Sequence, residues 1–542
     1  MKVEVVCRLS FVICLTVGIA ACTATKSDYG KVPALGDRTP PYQTFKWDKN
    51  AYVPFDANTT VTLDCPDPAA AEWLQSHYNE WYGDQAPKVT GGRVSSRAAA
   101  DGDVRPPAGD GSAASPKAAA GDESYAATVD ETGVKIAANT LAGTRLASYT
   151  MRQLAIAKRG TFKRDGLLLP KFTIEDRPHI AFRAVHLCCF PETSIRQIER
   201  AIRLAALLKF NYAIIEPWGT YKSEKNPWWS WPNAHLTKSE VKRLVAVGRD
   251  LGITLIPQIN CYGHASASRG GSIKHCVLDL HPEYAPLYEP APLYPVRGTY
   301  NWDGWSWCIS NPEAQRVIRE LIAEMHEDFG NPPFFHIGCD EAFGAQTCPE
   351  CVKHPKDELL LKHLTGISEF VKSRGARAMM WHDMLLEKSD RRWDGFIKFG
   401  SKETAAIIDR LPRDIIICDW QYWDKTKGKD GKDWPTISYF AEKGFSVAGC
   451  PWMNYKAMRP MADHIAKAGA FGYILTTWHH LRGSDWENMY KRGAFSAWGS
   501  PVSHDVSFQR SLRLIGNDMK VKDYDDSGFL NNQVPPSWWI SN

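Results

Sequence analysis

Between Asn211 and Ile259 the chain reads NYAIIE (211–216), then KSEVKRLVAVGRDL (238–251), then TLIPQI (254–259). The outer two are short apolar runs without polar alternation, the pattern of strands buried on both faces of a parallel sheet. The middle stretch carries its apolar side chains at helical spacing with charged residues between them, as a helix covering such a sheet must. Strand, helix and strand in this order make one βα unit.

The unit recurs on both sides. Strands are expected at His179–Leu187, Asn211–Glu216, Thr254–Ile259, Phe334–Gly338, Ala376–Trp381, Ile415–Asp419, Ser446–Cys450 and Gly472–Thr477. Helices fall between them, at Ser194–Leu208, Lys238–Leu251, Pro312–Phe329, Glu358–Arg374 and Met458–Ala468. Eight parallel strands within residues 176–500 favour an α/β fold of the closed (β/α)8 TIM-barrel type over an open doubly wound sheet. Upstream, residues 46–175 read as a small α/β accessory domain. It has a strand at Thr59–Leu63, a helix at Ala69–Trp81, a hairpin at Ser124–Val129 and Val134–Ala138, and a helix at Ala142–Ala157. Residues 84–122, rich in Ala, Gly, Pro and Ser, read as a low-complexity insertion in that domain, and 501–542 as a C-terminal tail.

Residues 1–21 read as a signal peptide, because Lys2 and Arg8 flank an apolar run, Leu9–Ala21, too short to span a bilayer. The run ends in Ile19-Ala20-Ala21-Cys22, which resembles the bacterial lipobox. That resemblance implies cleavage before Cys22 and lipid attachment to its thiol; an ordinary secretory signal is the alternative. Residues 22–45 then form a leader. The expectation is an exported, cell-envelope lipoprotein, periplasmic or on the outer surface, that touches the membrane only through its anchor.

The 542 residues are 44% hydrophobic and 23% charged, and 65 basic against 61 acidic side chains leave a net +4. This excludes wholesale disorder and the strong field of a nucleic-acid binder. After Cys7, Cys14 and Cys22, 11 of the 14 Cys remain, an odd number, so at least one stays unpaired within the molecule. Cys348-Pro349-Glu350-Cys351 with His354 has metal-like spacing. No second CxxC or HxxxH supplies a fourth zinc ligand, so a local disulfide or buried thiols are expected, with no metal and no cofactor. No sequence feature sets the oligomeric state.

In a (β/α)8 barrel the chemistry sits at the C-terminal ends of the strands. Here those ends read Glu216-Pro217-Trp218, Asn260-Cys261-Tyr262-Gly263-His264, Cys339-Asp340-Glu341, Trp381-His382-Asp383, Asp419-Trp420, Pro451-Trp452 and Trp478-His479-His480. Five of the chain's 21 Trp therefore mark strand ends. A ring of indoles around an adjacent carboxylate pair suits a neutral ring-shaped ligand such as a sugar, whose C–H faces stack on aromatic faces.

The string Phe335-His336-Ile337-Gly338-Cys339-Asp340-Glu341 resembles the His-x-Gly-x-Asp-Glu motif of glycoside hydrolase family 20, the β-N-acetylhexosaminidases, and is most similar to the hexosaminidase D-like branch. Residues 124–154 resemble that family's accessory domain, and 174–186 its first barrel strand with a sugar-binding arginine, here Arg183. The run Leu255 to His264 resembles its third-strand motif. The resemblance implies an exo-acting, retaining hydrolase of glycans with terminal N-acetylglucosamine or N-acetylgalactosamine, using the substrate's own acetamido oxygen as nucleophile. Glu341 is then the general acid and base, and Asp340 orients the acetamido N–H and stabilises the oxazolinium-like intermediate. Further substrate-binding candidates are Glu216; His264 in support of the carboxylates; Trp381, Trp420 and Trp478 as walls of the acetamido pocket; and Tyr455 or Tyr422 as donor to the acetamido oxygen.

Two departures from the family pattern matter. Gln258 and Asn260 replace acidic residues around His264, and Trp478-His479-His480 replaces Trp-x-Glu, whose carboxylate contacts distal hydroxyls. These departures keep a second class open, a non-catalytic N-acetylhexosamine-binding lipoprotein on a degenerate barrel.

Overall fold

The structure, a computed structural model, describes residues 44–91, 122–157, 167–190, 193–232, 234–265, 269–270, 273–274, 277–290, 300–301, 304–397, 399–423, 425–429, 431–452, 454–478 and 486–498. The signal peptide, Cys22, residues 92–121 of the low-complexity stretch, His479, His480 and the tail lie outside them.

The N-terminal part is one mixed sheet built from β1 (Thr44–Phe55), β2 (Thr60–Asp64), β3 (Lys88–Gly91), β4 (Tyr125–Asp130), β5 (Gly133–Ala138), β6 (Ile156–Ala157) and β7 (Leu167–Asp176). Its order is β1-β7-β4-β5-β2-β3, with β6 on β7. Along β2, β4 and β5 buried and outward side chains alternate, as a sheet with one packed face requires. Helices α1 (Pro68–Tyr82) and α2 (Leu141–Leu154) pack on it, capped by Asp67 and Thr140. Helix α2 stops three residues short of the sequence expectation because Ile156 and Ala157 pair with β7. Strand β1 begins inside the stretch read as leader and β3 inside the one read as low-complexity. Both are held by distant partners, β7 and β2.

The second part is the expected barrel, with all eight strands where the sequence places them to within a few residues: β8 (Phe182–Cys189), α3 (Ile195–Leu207), β9 (Tyr212–Pro217), α4 (Lys238–Leu251) and β10 (Thr254–Pro257). After a three-stranded flap of β11 (Arg269–Gly270), β12 (Ile273–Lys274) and β13 (Tyr300–Asn301) come α5 (Pro312–Asp328), β14 (Phe334–His336), α6 (Lys356–Ser373) and β15 (Arg377–Trp381). The chain continues through α7 (Lys402–Ala405), β16 (Ile416–Gln421), α8 (Pro435–Glu442), β17 (Ser446–Pro451), α9 (Tyr455–Ala468), β18 (Gly472–Thr476) and α10 (Trp486–Trp498). Every residue of β8 and β9 is buried, the reason their sequences carry no polar alternation. Local signals start and stop the helices. Ser194 and Gln197 form a capping box before α3, and Gly252 ends α4 at φ 84°. The strands run in the order β10-β9-β8-β18-β17-β16-β15-β14, all parallel. A bridge from Gln258 to His336, with Ile259 N–H on His336 O at 3.1 Å, closes β10 onto β14.

Arg183 corrects one expectation. It is the second residue of β8, at the end of the barrel opposite the C-terminal strand ends, and it is fully buried. Its guanidinium forks onto the Glu123 carboxylate just before β4 at 2.8 and 2.9 Å. The remaining donors go to carbonyls of Lys209 and Ile180, and Trp498 stacks over it at 4.8 Å. Beside it, Asp176 of β7 accepts from Lys209 at 2.9 Å, Tyr125 at 2.7 Å and Trp498 at 2.9 Å. Arg183 thus joins the N-terminal sheet to the barrel floor, at the end of the barrel away from Asp340 and Glu341. Removing one partner of a buried pair strands the other charge. Arg183→Met is therefore expected to lower the unfolding free energy by about 3–5 kcal/mol, and the double change Arg183→Met/Glu123→Met to recover much of it, both read by urea titration.

Candidate active site

The chain leaves regular strand geometry at the end of β14. Gly338, Cys339 and Glu341 have φ of 64°, 77° and 45°. In an extended segment Asp340 and Glu341 would point to opposite faces. The left-handed turns instead bring both to one imidazole, that of His264, itself at φ 52°. His264 Nδ1 lies 3.2 Å from Asp340 Oδ1, and its Nε2 lies 3.5 Å from Glu341 Oε2. Positive φ in non-glycine residues stores local strain that the surrounding fold must hold, the usual situation at a working site.

Burial alone would lower the His264 pKa, but the charges of Asp340, Glu341 and Glu216 outweigh it and hold the ring up to about 9. At neutral pH an imidazolium therefore sits between the Asp340 and Glu341 side chains. The two differ in access: the Asp340 side chain is 5% exposed and that of Glu341 29%. Glu341 is fixed through its backbone from two sides. Its N–H donates to Asp383 Oδ2 at 3.0 Å, and its carbonyl accepts from Trp305 Nε1 at 2.6 Å. Burial, reinforced by the nearby Asp340 charge, pushes the Asp383 carboxyl well above the usual carboxylate range. Its other oxygen accepts from Trp420 Nε1 at 3.3 Å.

The expected aromatic wall is assembled at the ends of β15, β16 and β18. Trp381 is fully buried and packs against Trp478 at 5.8 Å and His336 at 4.4 Å between ring centres. Trp420 stacks on Tyr422 at 4.9 Å, and Tyr422 OH accepts from Trp478 Nε1 at 2.8 Å. Between the two tyrosines considered, Tyr422 is the one in this wall. Tyr455 opens α9 and its side chain lies outside the described residues.

Glu216 ends β9 but does not face a ligand. His186 Nε2 holds one oxygen at 2.8 Å and Asn260 Nδ2 the other at 2.6 Å, and the carboxylate is buried. Burial opposes ionisation, yet these two hydrogen bonds and the His186 charge bring its pKa down to about 2. The carboxylate is thus a fixed negative charge next to His264. This also accounts for Asn260, whose amide donates to Glu216 as a carboxylate at that position could not.

Sequence reasoning missed Asp383 and Trp305. Asp383 stood in the quoted Trp381-His382-Asp383 string, and its signal was its place at a strand end. Trp305 lies in the long connection between β10 and α5, where no periodicity marks a site. The thiols Cys348 and Cys351 are buried and unbridged, and His354 is exposed at the surface.

A closed (β/α)8 barrel with an adjacent Asp-Glu pair at one strand end and indoles at the neighbouring strand ends is an arrangement of the glycosidase type. Residues 210–456 match the glycosyl hydrolase family 20 catalytic domain and residues 40–177 match domain 2 of the same family. The chain belongs to glycosyl hydrolase family 20. Similar proteins include a lacto-N-biosidase from Bifidobacterium bifidum, 26% identical over 50% of this chain and 23% of its own length. A beta-hexosaminidase from Vibrio furnissii is 23% identical over 55% of this chain and 48% of its own. The chain thus spans less than half the length of these curated relatives. Among solved structures, the exo beta-N-acetylglucosaminidase of Vibrio harveyi in complex with N-acetylglucosamine superposes with a TM-score of 0.60 at 17% identity, covering 90% of this chain and 77% of that one. The chitobiase of Flavobacterium johnsoniae gives 0.58 at 16% identity, covering 89% and 72%.

The His264 charge has a measurable consequence. Its folded-state pKa, about 9, lies above the ordinary 6.5, so its stabilising contribution is complete below pH 6.5 and is lost as pH rises through 9. The thermal midpoint is expected to fall across that window by on the order of a few degrees, and His264→Gln to lack this component, in a pH series of melting curves.

Proposed function

We propose that this chain is an exo-acting, retaining β-N-acetylhexosaminidase that releases terminal non-reducing N-acetylglucosamine or N-acetylgalactosamine from glycans. The observation that carries the reading is the pairing of Asp340 and Glu341 across His264 inside the aromatic cup. Among the described strand-end residues, the other carboxylates are buried and engaged: Glu216 with His186 and Asn260, Asp383 with Glu341 N–H and Trp420, and Asp419 with Gln421. None is poised as a protein nucleophile. This supports substrate assistance, in which the acetamido oxygen attacks C1 while Glu341 protonates the departing glycosidic oxygen. Asp340, whose Oδ1 lies 3.2 Å from His264 Nδ1, accepts the acetamido N–H and balances the charge of the oxazolinium ring. Glu341, now a carboxylate, takes a proton from water as the water oxygen bonds to C1 and the ring reopens with net retention.

Chromogenic N-acetyl-β-glucosaminide and N-acetyl-β-galactosaminide are the test substrates. Glu341→Gln is expected to lower kcat by about 10²–10⁴-fold with little change in KM, the range for loss of a general acid-base. Equal rates for wild type and Glu341→Gln would overturn the mechanism, and binding of N-acetylhexosamine without turnover would favour a non-catalytic receptor. The ratio of the two wild-type rates reads gluco against galacto preference.

We also propose export with a lipid anchor on Cys22, supported by the Ile19-Ala20-Ala21-Cys22 string. Radiolabelled fatty acid is expected to enter the full chain in a bacterial host and not Cys22→Ser; equal labelling would rule the anchor out.

A further inference from the structure

Outside the sugar cup, three thiols and one carboxylate meet beneath two barrel loops. Glu289 and Cys308 belong to the connection between β10 and α5, Cys348 and Cys351 to the one between β14 and α6. Cys308 Sγ lies 3.4 Å from Cys348 Sγ and 3.7 Å from Cys351 Sγ. One ligand atom from each of these thiols and from the Glu289 carboxylate falls within 4.8 Å of all the others, and all four residues are buried.

The spacing separates two chemistries. A disulfide brings sulfurs to about 2.05 Å. A tetrahedral zinc ion with Zn–S bonds of about 2.3 Å sets its sulfurs about 3.8 Å apart, close to what is seen here. The local hydrogen bonds fit a ligand set. Cys351 N–H donates to Cys348 Sγ at 3.3 Å, so the backbone of the loop already turns toward that sulfur. Ser310 Oγ sits 3.3 Å from Cys308 Sγ and 3.1 Å from Cys351 Sγ. Glu289 Oε2 accepts from Thr347 N at 2.9 Å and Cys348 N at 2.6 Å, which aims the carboxylate at the cluster. Its Oε1 is buried with no hydrogen-bond partner among the described residues. A buried carboxylate oxygen left bare among thiols is costly, and a divalent cation resolves that cost.

We infer that Glu289, Cys308, Cys348 and Cys351 bind one structural zinc ion through a carboxylate oxygen and three sulfurs. Four protein ligands close the coordination sphere, so the ion takes no part in hydrolysis. Binding releases the three thiol protons to solvent and leaves the oxidation states unchanged. Cys348-Pro349-Glu350-Cys351 supplies half the site. The other half comes from residues far upstream, and the exposed His354 is not among the ligands.

The placement gives the ion a positioning role. Trp305, whose indole N–H holds the Glu341 carbonyl, is three residues before Cys308, and Glu341 is seven residues before Cys348. The zinc therefore staples together the two loops that fix Glu341.

Elemental analysis of the full chain, purified without added metal, is expected to find about one zinc per molecule. A mercurial that modifies thiols is expected to release it to a colorimetric chelator, a readout that needs no variant. Cys308→Ser and Glu289→Gln are each expected to weaken zinc retention at least about tenfold, while Cys65→Ser, distant from the cluster, retains it. Substoichiometric metal that zinc supplementation does not raise, or a disulfide between any two of the three thiols on peptide mapping, would overturn the assignment. Metal content is read without any turnover, so this result stands apart from the test of the hydrolase reading.

Discussion

The seam between β10 and β14 is the contact on which the site depends. It is the last pairing needed to close the barrel, and it is short: the Gln258–His336 bridge, Ile259 N–H on His336 O, and Cys261 N–H on Ile337 O at 2.9 Å. Both strands then turn into the site at once, one toward His264 and the other toward Asp340 and Glu341. Two glycines permit this. A Cβ on Gly338 would overlap Asn260 Oδ1, and one on Gly263 would overlap the Asp340 carbonyl. Gly338 also sits at φ 64°, where a side chain is strained in any case. The Gly in the His-x-Gly-x-Asp-Glu string is thus a steric requirement of barrel closure next to the Asp340–Glu341 pair.

What the sequence disclosed follows from the range of the interactions. The barrel was legible because each βα unit carries its own periodicity, cap and stop, so eight local readings add up to one topology. In the N-terminal sheet the hairpin and both helices were legible for the same reason. Strand β1 was not, because its pairing partner β7 lies more than a hundred residues away and nothing local marks it. Arg183 was misplaced for a different reason. Similarity to a motif outweighed its position at the start of a strand, although strand starts and strand ends lie at opposite ends of the barrel. Trp305, and Glu289 and Cys308 beside the flagged Cys348 and Cys351, were illegible because they join loops that only the folded barrel brings together.

The tryptophans divide along the same line. Trp381 and Trp420 are buried and belong to the barrel's inner packing as much as to its mouth, while Trp478 is half-buried and hydrogen-bonded to Tyr422. The first two thus belong to the upper layer of side chains that fills the barrel just below its C-terminal end.

The replacement of acidic residues by Gln258 and Asn260 looked like erosion of the machinery, and the charge arrangement argues otherwise. The His264 cation already has Asp340, Glu341 and Glu216 around it. A further carboxylate at residue 260 would face Glu216 across 2.6 Å of what is now a donor–acceptor contact, and one of the two would have to take up a proton. With an amide there, Glu216 stays anionic and lends its charge to His264 from the β9 side. The supporting negative charge is thus carried by β9, through Glu216, and the β10 side chain Asn260 holds it in place.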